Sequence, residues 1–177
     1  MGLEELFGRI EKRFGKEAVV GNDIKVDTVS SGSMALDEIL GGGFALGRIH
    51  EIYGGFSSGK SSAALHLSAS VQKTLGKAVG YVDTEQALDL EYAKALGVDL
   101  SRDKWIMSQP DSAEQALEIV REMLEVPEIG LVVLDSVAGL VPEAVLQGEA
   151  GDAKIALVAR LMSQQLSILK NVCKKNG

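Results

Sequence analysis

The stretch GRIHEIYGGFSSGKSSAALHLSASVQKTL, residues 47–75, decides the fold. At its centre, GGFSSGKS at 54–61 is a glycine, four residues, then Gly-Lys-Ser, the spacing of a phosphate-binding loop. Each part has its own physical reason. Glycines let backbone N–H groups turn inward toward phosphate oxygens. A helix that begins at Gly59 points its free N–H groups and positive dipole end at the same anion. Lys60 supplies a flexible cation for the β and γ phosphates, and Ser61 an oxygen for Mg²⁺. Before the loop, RIHEIY at 48–53 reads as a strand. After it, residues 60–75 have helical apolar spacing and alanine content, with Gly76 as the stop. That flanking context sets aside a chance glycine-rich turn. Gly54, Gly55, Phe56, Ser57, Ser58, Gly59, Lys60, Ser61 and Ser62 are therefore the expected cradle for the triphosphate of ATP or a related nucleotide.

Downstream, the same alternation repeats. Ala78 to Val82 predicts a short buried strand, and Asp89 to Leu96 a helix ending at Gly97. Trp105 to Met107 is strand-like. Ser112 and Gln115 match a capping box for a helix running to about Glu125. Leu131-Val132-Val133-Leu134 is a continuous apolar run closing at Asp135, which predicts a central parallel strand covered on both faces. Asp152 is placed to cap a long helix from Ala153 to about Cys173. Strands alternating with helices of this length predict an α/β fold, a mostly parallel sheet with helices on both faces. No internal repeat or low-complexity linker divides the chain.

Upstream, Leu3, Leu6, Phe7, Ile10 and Phe14 fall at spacings of three and four, one apolar helical face with Gly15 as a stop. A short amphipathic terminal helix must cover something, its own domain or a neighbouring subunit, and periodicity does not choose. Val19, Val20, Ile24, Val26 and Val29 suggest short strands over 18–30. Ser33 is expected to cap a brief helix through Leu36 and Leu40 that Gly41 to Gly43 break.

Composition narrows the function. With 46% apolar and 24% charged residues in 177, the chain is that of an ordinary globular domain rather than a disordered one. No stretch approaches the roughly 20 apolar residues of a membrane span, and the first residues lack a signal-peptide pattern. Cys173 is the single cysteine, which excludes a disulfide framework and predicts a reducing, cytoplasmic setting. A net charge of −7 argues against a broad nucleic-acid face but leaves room for a local basic groove.

Three further carboxylates carry candidate chemistry. Asp135, at the end of LVVLD, stands where a Walker B aspartate would hold Mg²⁺ directly or through water. Glu85 follows the strand AVGYVD, where a carboxylate could orient and deprotonate an attacking water. Asp83 is close enough to compete for that role. Ser136 could hydrogen-bond near the phosphates. His50 and His66 lack partners at ligand spacing and read as packing or surface residues. The scattered methionines read as core filler.

On these residues the chain resembles the bacterial RecA recombinase family. The matching runs are VSSGSMALDEILGGG at 29–43, GRIHEIYGGFSSGKSS at 47–62 and YVDTEQALDLEYAKALGVDL at 81–100. They continue with SQPDSAEQALEI at 108–119, LVVLDSVAGLVPEA at 131–144 and GEAGDAKIALVARLMSQQL at 148–166. The resemblance implies a P-loop NTPase that uses ATP and Mg²⁺. It further implies a homo-oligomeric helical filament on single-stranded DNA that pairs with duplex DNA in recombination, repair and the SOS response. Glu85 resembles the family's catalytic glutamate, while Asp89 and Tyr92 resemble its adenine contacts, one bonding the base edge and one stacking on it. Residues 1–28 resemble an oligomerisation arm and 29–177 the ATPase core. Gly148 and Glu149, within the run 143–153 that resembles the first DNA-binding loop, and Arg160 resemble DNA contacts.

There are departures. The family has Pro and Glu where this chain has Gly55 and Phe56, His where it has Gln86, and a second basic residue where it has Ser167. These describe a divergent member, of cellular or phage origin. The family also continues past residue 177 with a central strand, a second DNA-binding loop and a smaller domain, so the ATPase core is expected to be incomplete at its C-terminal end. A non-catalytic homologue that binds nucleotide or caps a recombinase filament is the alternative.

Overall fold

The computed structural model describes residues 2–19, 26–148 and 154–176. Residues 20–25 of the stretch 18–30 expected to hold short strands, the Asp152 cap and Glu149 fall outside them. Helix α1 spans Leu3–Phe14 and stops at Gly15, as the apolar spacing predicts. A 3-10 turn, Lys16–Ala18, follows. None of the α1 residues is buried, and Leu3, Phe7 and Phe14 stay exposed. Strands β1 (Thr28–Val29) and β2 (Phe44–Ala45) form a small antiparallel pair around α2 (Met34–Ile39). Ser33 occupies the N-cap position of α2, but its side chain makes no capping bond. The Asp37 carboxylate ties this end instead, accepting from Ser31 N at 2.7 Å and from the Ser30 hydroxyl. Those bonds, the Ser30 hydroxyl first, hold its pKa below the ordinary value.

The main sheet is parallel, in the order β4–β3–β5. Its strands are β3 (Ala78–Asp83), β4 (Trp105–Ser108) and β5 (Ile129–Asp135). Tyr81 lies opposite Met107 on one side and Val133 on the other, and Asp83 lies opposite Asp135. Every residue of β3 is buried. Helix α3 (Lys60–Leu75) covers one face, where Leu65, Val71, Val79, Tyr81 and Trp105 form a core. Helices α5 (Ala113–Leu124) and α7 (Lys154–Asn176) cover the other with Val82, Leu117, Val120, Leu140 and Leu169. Each large apolar side chain so buried contributes about 1.5–3 kcal/mol. Two short helices, α4 (Leu90–Ala95) and α6 (Glu143–Leu146), complete the set. Among the described residues no helix is long and apolar enough to cross a membrane.

Two expectations are corrected. The run 131–134 is parallel and packs helices on both faces, but it lies at an edge of the three strands and is only half-buried. The central place belongs to the shorter β3, because β3 has hydrogen-bonding partners on both sides. Residues 48–53 form no strand. A strand needs a ladder, and this segment pairs with none among the described residues, leaving Ile49, Ile52 and Tyr53 exposed. At α5, Ser112 accepts from Gln115 N at 3.2 Å as a cap should, while the Gln115 side chain reaches back to Asp111 N rather than to Ser112 N.

Candidate functional site

Chain direction brings the site together. Helix α3 is about 24 Å long at 1.5 Å per residue, and β3 about 20 Å at 3.3 Å per residue. A two-residue connection through Gly76 joins them, and α3 packs along β3 and β5. The first turn of α3 therefore lies at the C-terminal ends of β3 and β5, where Asp83, Glu85 and Asp135 stand.

Residues 57–62 line a cavity of about 220 Å³. Gly59 has φ +88°, a left-handed conformation that favours glycine, and it turns the chain into α3. The first intrahelical bond runs from Ala63 N to Gly59 O, so the amides of Lys60, Ser61 and Ser62 have no acceptor within the helix. The Lys60 ammonium folds over the loop and donates to Gly54 O at 3.2 Å and Gly55 O at 2.9 Å. Both acceptors are neutral carbonyls of the same loop, which leaves its charge uncompensated by them and ready to turn to an anion. Phe56 projects fully into solvent. Free amides, a cation and a hydroxyl around one small cavity fit a polyphosphate. A larger cleft, about 640 Å³, runs between α3 and the 96–104 turn past His66, Lys73 and Lys104. It lacks the loop's convergent donors.

Beside the loop, Tyr92 is half-exposed, and its hydroxyl lies 3.0 Å from Ser62 Oγ. This contact joins a sequence-predicted base-stacking residue to the first turn of α3. Asp89 caps α4 by accepting from Tyr92 N at 3.0 Å, and a carboxylate has acceptor capacity left over for a base edge.

The two carboxylates expected to work on the phosphates are tied to each other through their backbones. Thr84 N donates to Asp135 O at 2.9 Å. The Thr84 hydroxyl donates to Ser136 O at 2.6 Å and accepts from Ser136 N at 2.9 Å. The Asp135–Ser136 peptide is cis. The Ser136 hydroxyl donates to Glu85 Oε1. Asp135 Oδ2 accepts from the buried Tyr81 hydroxyl at 2.6 Å. Burial, and then that bond to Asp135, push the Tyr81 pKa up, so Tyr81 remains a donor. Asp83, the other carboxylate at this strand end, is buried and accepts from Leu88 N and Gln109 Nε2.

Ser61 and Asp135 supply oxygens suited to Mg²⁺. Among the described residues no cluster of three His, Cys, Asp or Glu could hold a metal, and Mg²⁺ needs none, since it keeps several waters and binds one or two protein oxygens plus phosphate. The predicted DNA contacts lie elsewhere: Gly148 is exposed just past α6, and Arg160 is exposed on α7.

Tyr81, Thr84 and Gln109 escaped the sequence reading, and Ser136 was only loosely placed. One signal existed. A tyrosine inside an otherwise apolar buried strand must find a partner for its hydroxyl.

Comparison with known proteins extends these observations. A family model described as "RecA N-terminal domain" matches residues 2–177. The protein named "Protein RecA" from Latilactobacillus sakei subsp. sakei is 50% identical over 178 residues, covering 98% of this chain and 49% of its own length. Its namesake in Arthrospira platensis is 48% identical over 179 residues, 99% of this chain and 48% of its own length. That of Lactobacillus delbrueckii subsp. bulgaricus is 51% identical over 178 residues, 98% of this chain and 53% of its own length. The chain thus spans about half the length of the curated relatives it matches. With a parallel α/β sheet covered on both faces and a glycine-lysine-serine loop at its C-terminal edge, this chain belongs to the RecA N-terminal domain family.

Proposed function

We propose that this chain is the nucleotide-binding part of a RecA-type, ATP-dependent DNA recombinase. The observation that carries the reading is the Lys60 ammonium held over the loop by two neutral carbonyls, beside free amides of α3 and next to the strand ends that carry Glu85 and Asp135. In this reading residues 54–62 bind the phosphates of ATP, Asp89 and Tyr92 hold the adenine, and Ser61 and Asp135 hold Mg²⁺. Bound Mg²⁺ supplies charge neutralisation at the phosphate oxygens. Lys60 orients the terminal phosphates, and Glu85, steadied by the Ser136 hydroxyl, takes a proton from the attacking water. Residues 29–177 act as the ATPase core and residues 1–28 as an arm onto a second copy. A contact of that kind is heterologous and builds a filament, which coats single-stranded DNA and pairs it with a duplex. Gly148, Glu149 and Arg160 are the proposed contacts to that DNA. The setting is cytoplasmic.

Titration with a fluorescent ATP analogue tests the site. Lys60→Ala should weaken binding at least about tenfold, roughly the loss of one charge-assisted contact, and binding at wild-type strength would sink the proposal. Glu85→Gln should keep binding and lose about 10²–10⁴-fold in any turnover. Turnover stimulated by single-stranded DNA is expected to need the segments that longer RecA-type proteins carry, and strong stimulation of this chain alone would refute that.

A second reading, a homologue that binds nucleotide and caps a filament, draws on α1, where Leu3 is 72% and Phe14 66% exposed. Filament capping without hydrolysis, abolished by Phe7→Asp, would favour it.

A further inference from the structure

Tyr81 is the one hydroxyl-bearing aromatic in the buried centre of the sheet, and its tip is aimed at the candidate metal ligand. It is fully buried. Its ring lies on the α3 face with Val79, next to Trp105 at 5.2 Å between centroids. On the neighbouring strand Val133 is directly opposite, and Asp135 is the diagonal neighbour two residues on. A long side chain reaches such a diagonal, and the Tyr81 hydroxyl does so, donating to Asp135 Oδ2 at 2.6 Å. One carboxylate oxygen is thereby engaged from below the sheet end. The second oxygen, Oδ1, keeps its acceptor capacity for a metal or its water, and the group bonded to Oδ2 belongs to a fully buried side chain.

We propose that Tyr81 is a positioning residue for the metal site: it orients the Asp135 carboxylate toward Mg²⁺ without touching metal or nucleotide. This rests on the reading of Asp135 as a metal ligand. Partners that orient metal ligands from behind typically matter about 10–100-fold in metal affinity, and Tyr81 stands at the lower end because Asp135 is also held by its own backbone bond to Thr84.

The test compares nucleotide binding with and without the metal. A fluorescent ADP analogue is titrated into the full chain in Mg²⁺ and in EDTA, and the ratio of the two affinities is taken for each variant. The ratio is insensitive to a reduced fraction of folded protein, so a partly unfolded variant still reports. Tyr81→Phe keeps the ring and deletes the hydroxyl. It should lower the ratio about tenfold and leave affinity in EDTA within about twofold. In an Asp135→Asn background, Tyr81→Phe should have no further effect on the ratio. If Tyr81→Phe leaves the ratio unchanged while Asp135→Asn abolishes it, the positioning role is overturned and the metal site stands. Equal weakening with and without metal would also overturn it, as plain structural damage. If Asp135→Asn leaves the ratio unchanged, the metal-site reading itself fails and the proposal with it.

Discussion

Adding a single methyl group at Gly139 should strain the link between the two carboxylate-bearing turns, in proportion to what Thr84 holds there. A Cβ at Gly139 would lie 2.5 Å from Thr84 Oγ1 and 3.0 Å from Thr84 O. The φ of Gly139 is not in the left-handed region, so alanine suits its backbone and the cost is steric. The Thr84 hydroxyl cannot swing aside, because it bonds Ser136 O at 2.6 Å and Ser136 N at 2.9 Å. Overpacking of this kind costs about 1–3 kcal/mol, and we take ~2 kcal/mol for Gly139→Ala. Thr84→Ala loses two hydrogen bonds at about 1 kcal/mol each. Independent changes would sum to ~4 kcal/mol. In the Thr84→Ala background the nearest overlap is gone and the carbonyl contact remains, so the second change should cost ~1 kcal/mol. The double variant is then about 3 kcal/mol less stable than wild type, a coupling of ~1 kcal/mol. Urea denaturation of the four proteins at pH 7 measures it. Additivity within about 0.5 kcal/mol, or a Gly139→Ala cost below that, would refute the argument that Thr84 occupies this space.

Other outcomes follow from the same structure. Ser112→Ala should lower stability by about 1 kcal/mol through loss of the α5 cap, read as a lower urea midpoint at unchanged slope. Asp37 is partly buried, and bonds from Ser30 and Ser31 hold its folded pKa below the ordinary value of 3.8. Its contribution is thus fully present above that ordinary value and disappears as pH falls through the folded one. The gap between wild type and Asp37→Asn should be constant near pH 7 and narrow as pH falls below the ordinary carboxylate range, and a gap that widens in acid would contradict the assignment. The fluorescent nucleotide titrations of Lys60→Ala, Glu85→Gln and Tyr81→Phe complete the set.

The amino-acid sequence by itself determined the elements that local chemistry governs. Gly-Lys-Ser after a glycine turn starts α3, Gly76 with φ +66° ends it, apolar spacing sets α1, and the Ser112 cap starts α5. It also singled out Lys60, Glu85 and Asp135 as candidates from their types and places along the chain, and Tyr92 from the family resemblance that the long ordered matches carried. What sequence could not decide was partnership between distant segments. RIHEIY has the residues of a strand but pairs with no strand among the described residues, and β propensity only stabilises a strand that pairs. LVVLD is the more apolar run, yet AVGYVD takes the centre because it is the strand with neighbours on both edges. The ties of Tyr81 to Asp135 and of Thr84 to Ser136 span 54 and 52 residues. Their strength depends on distances of a few tenths of an ångström, which only the parallel register of β3 on β5 sets.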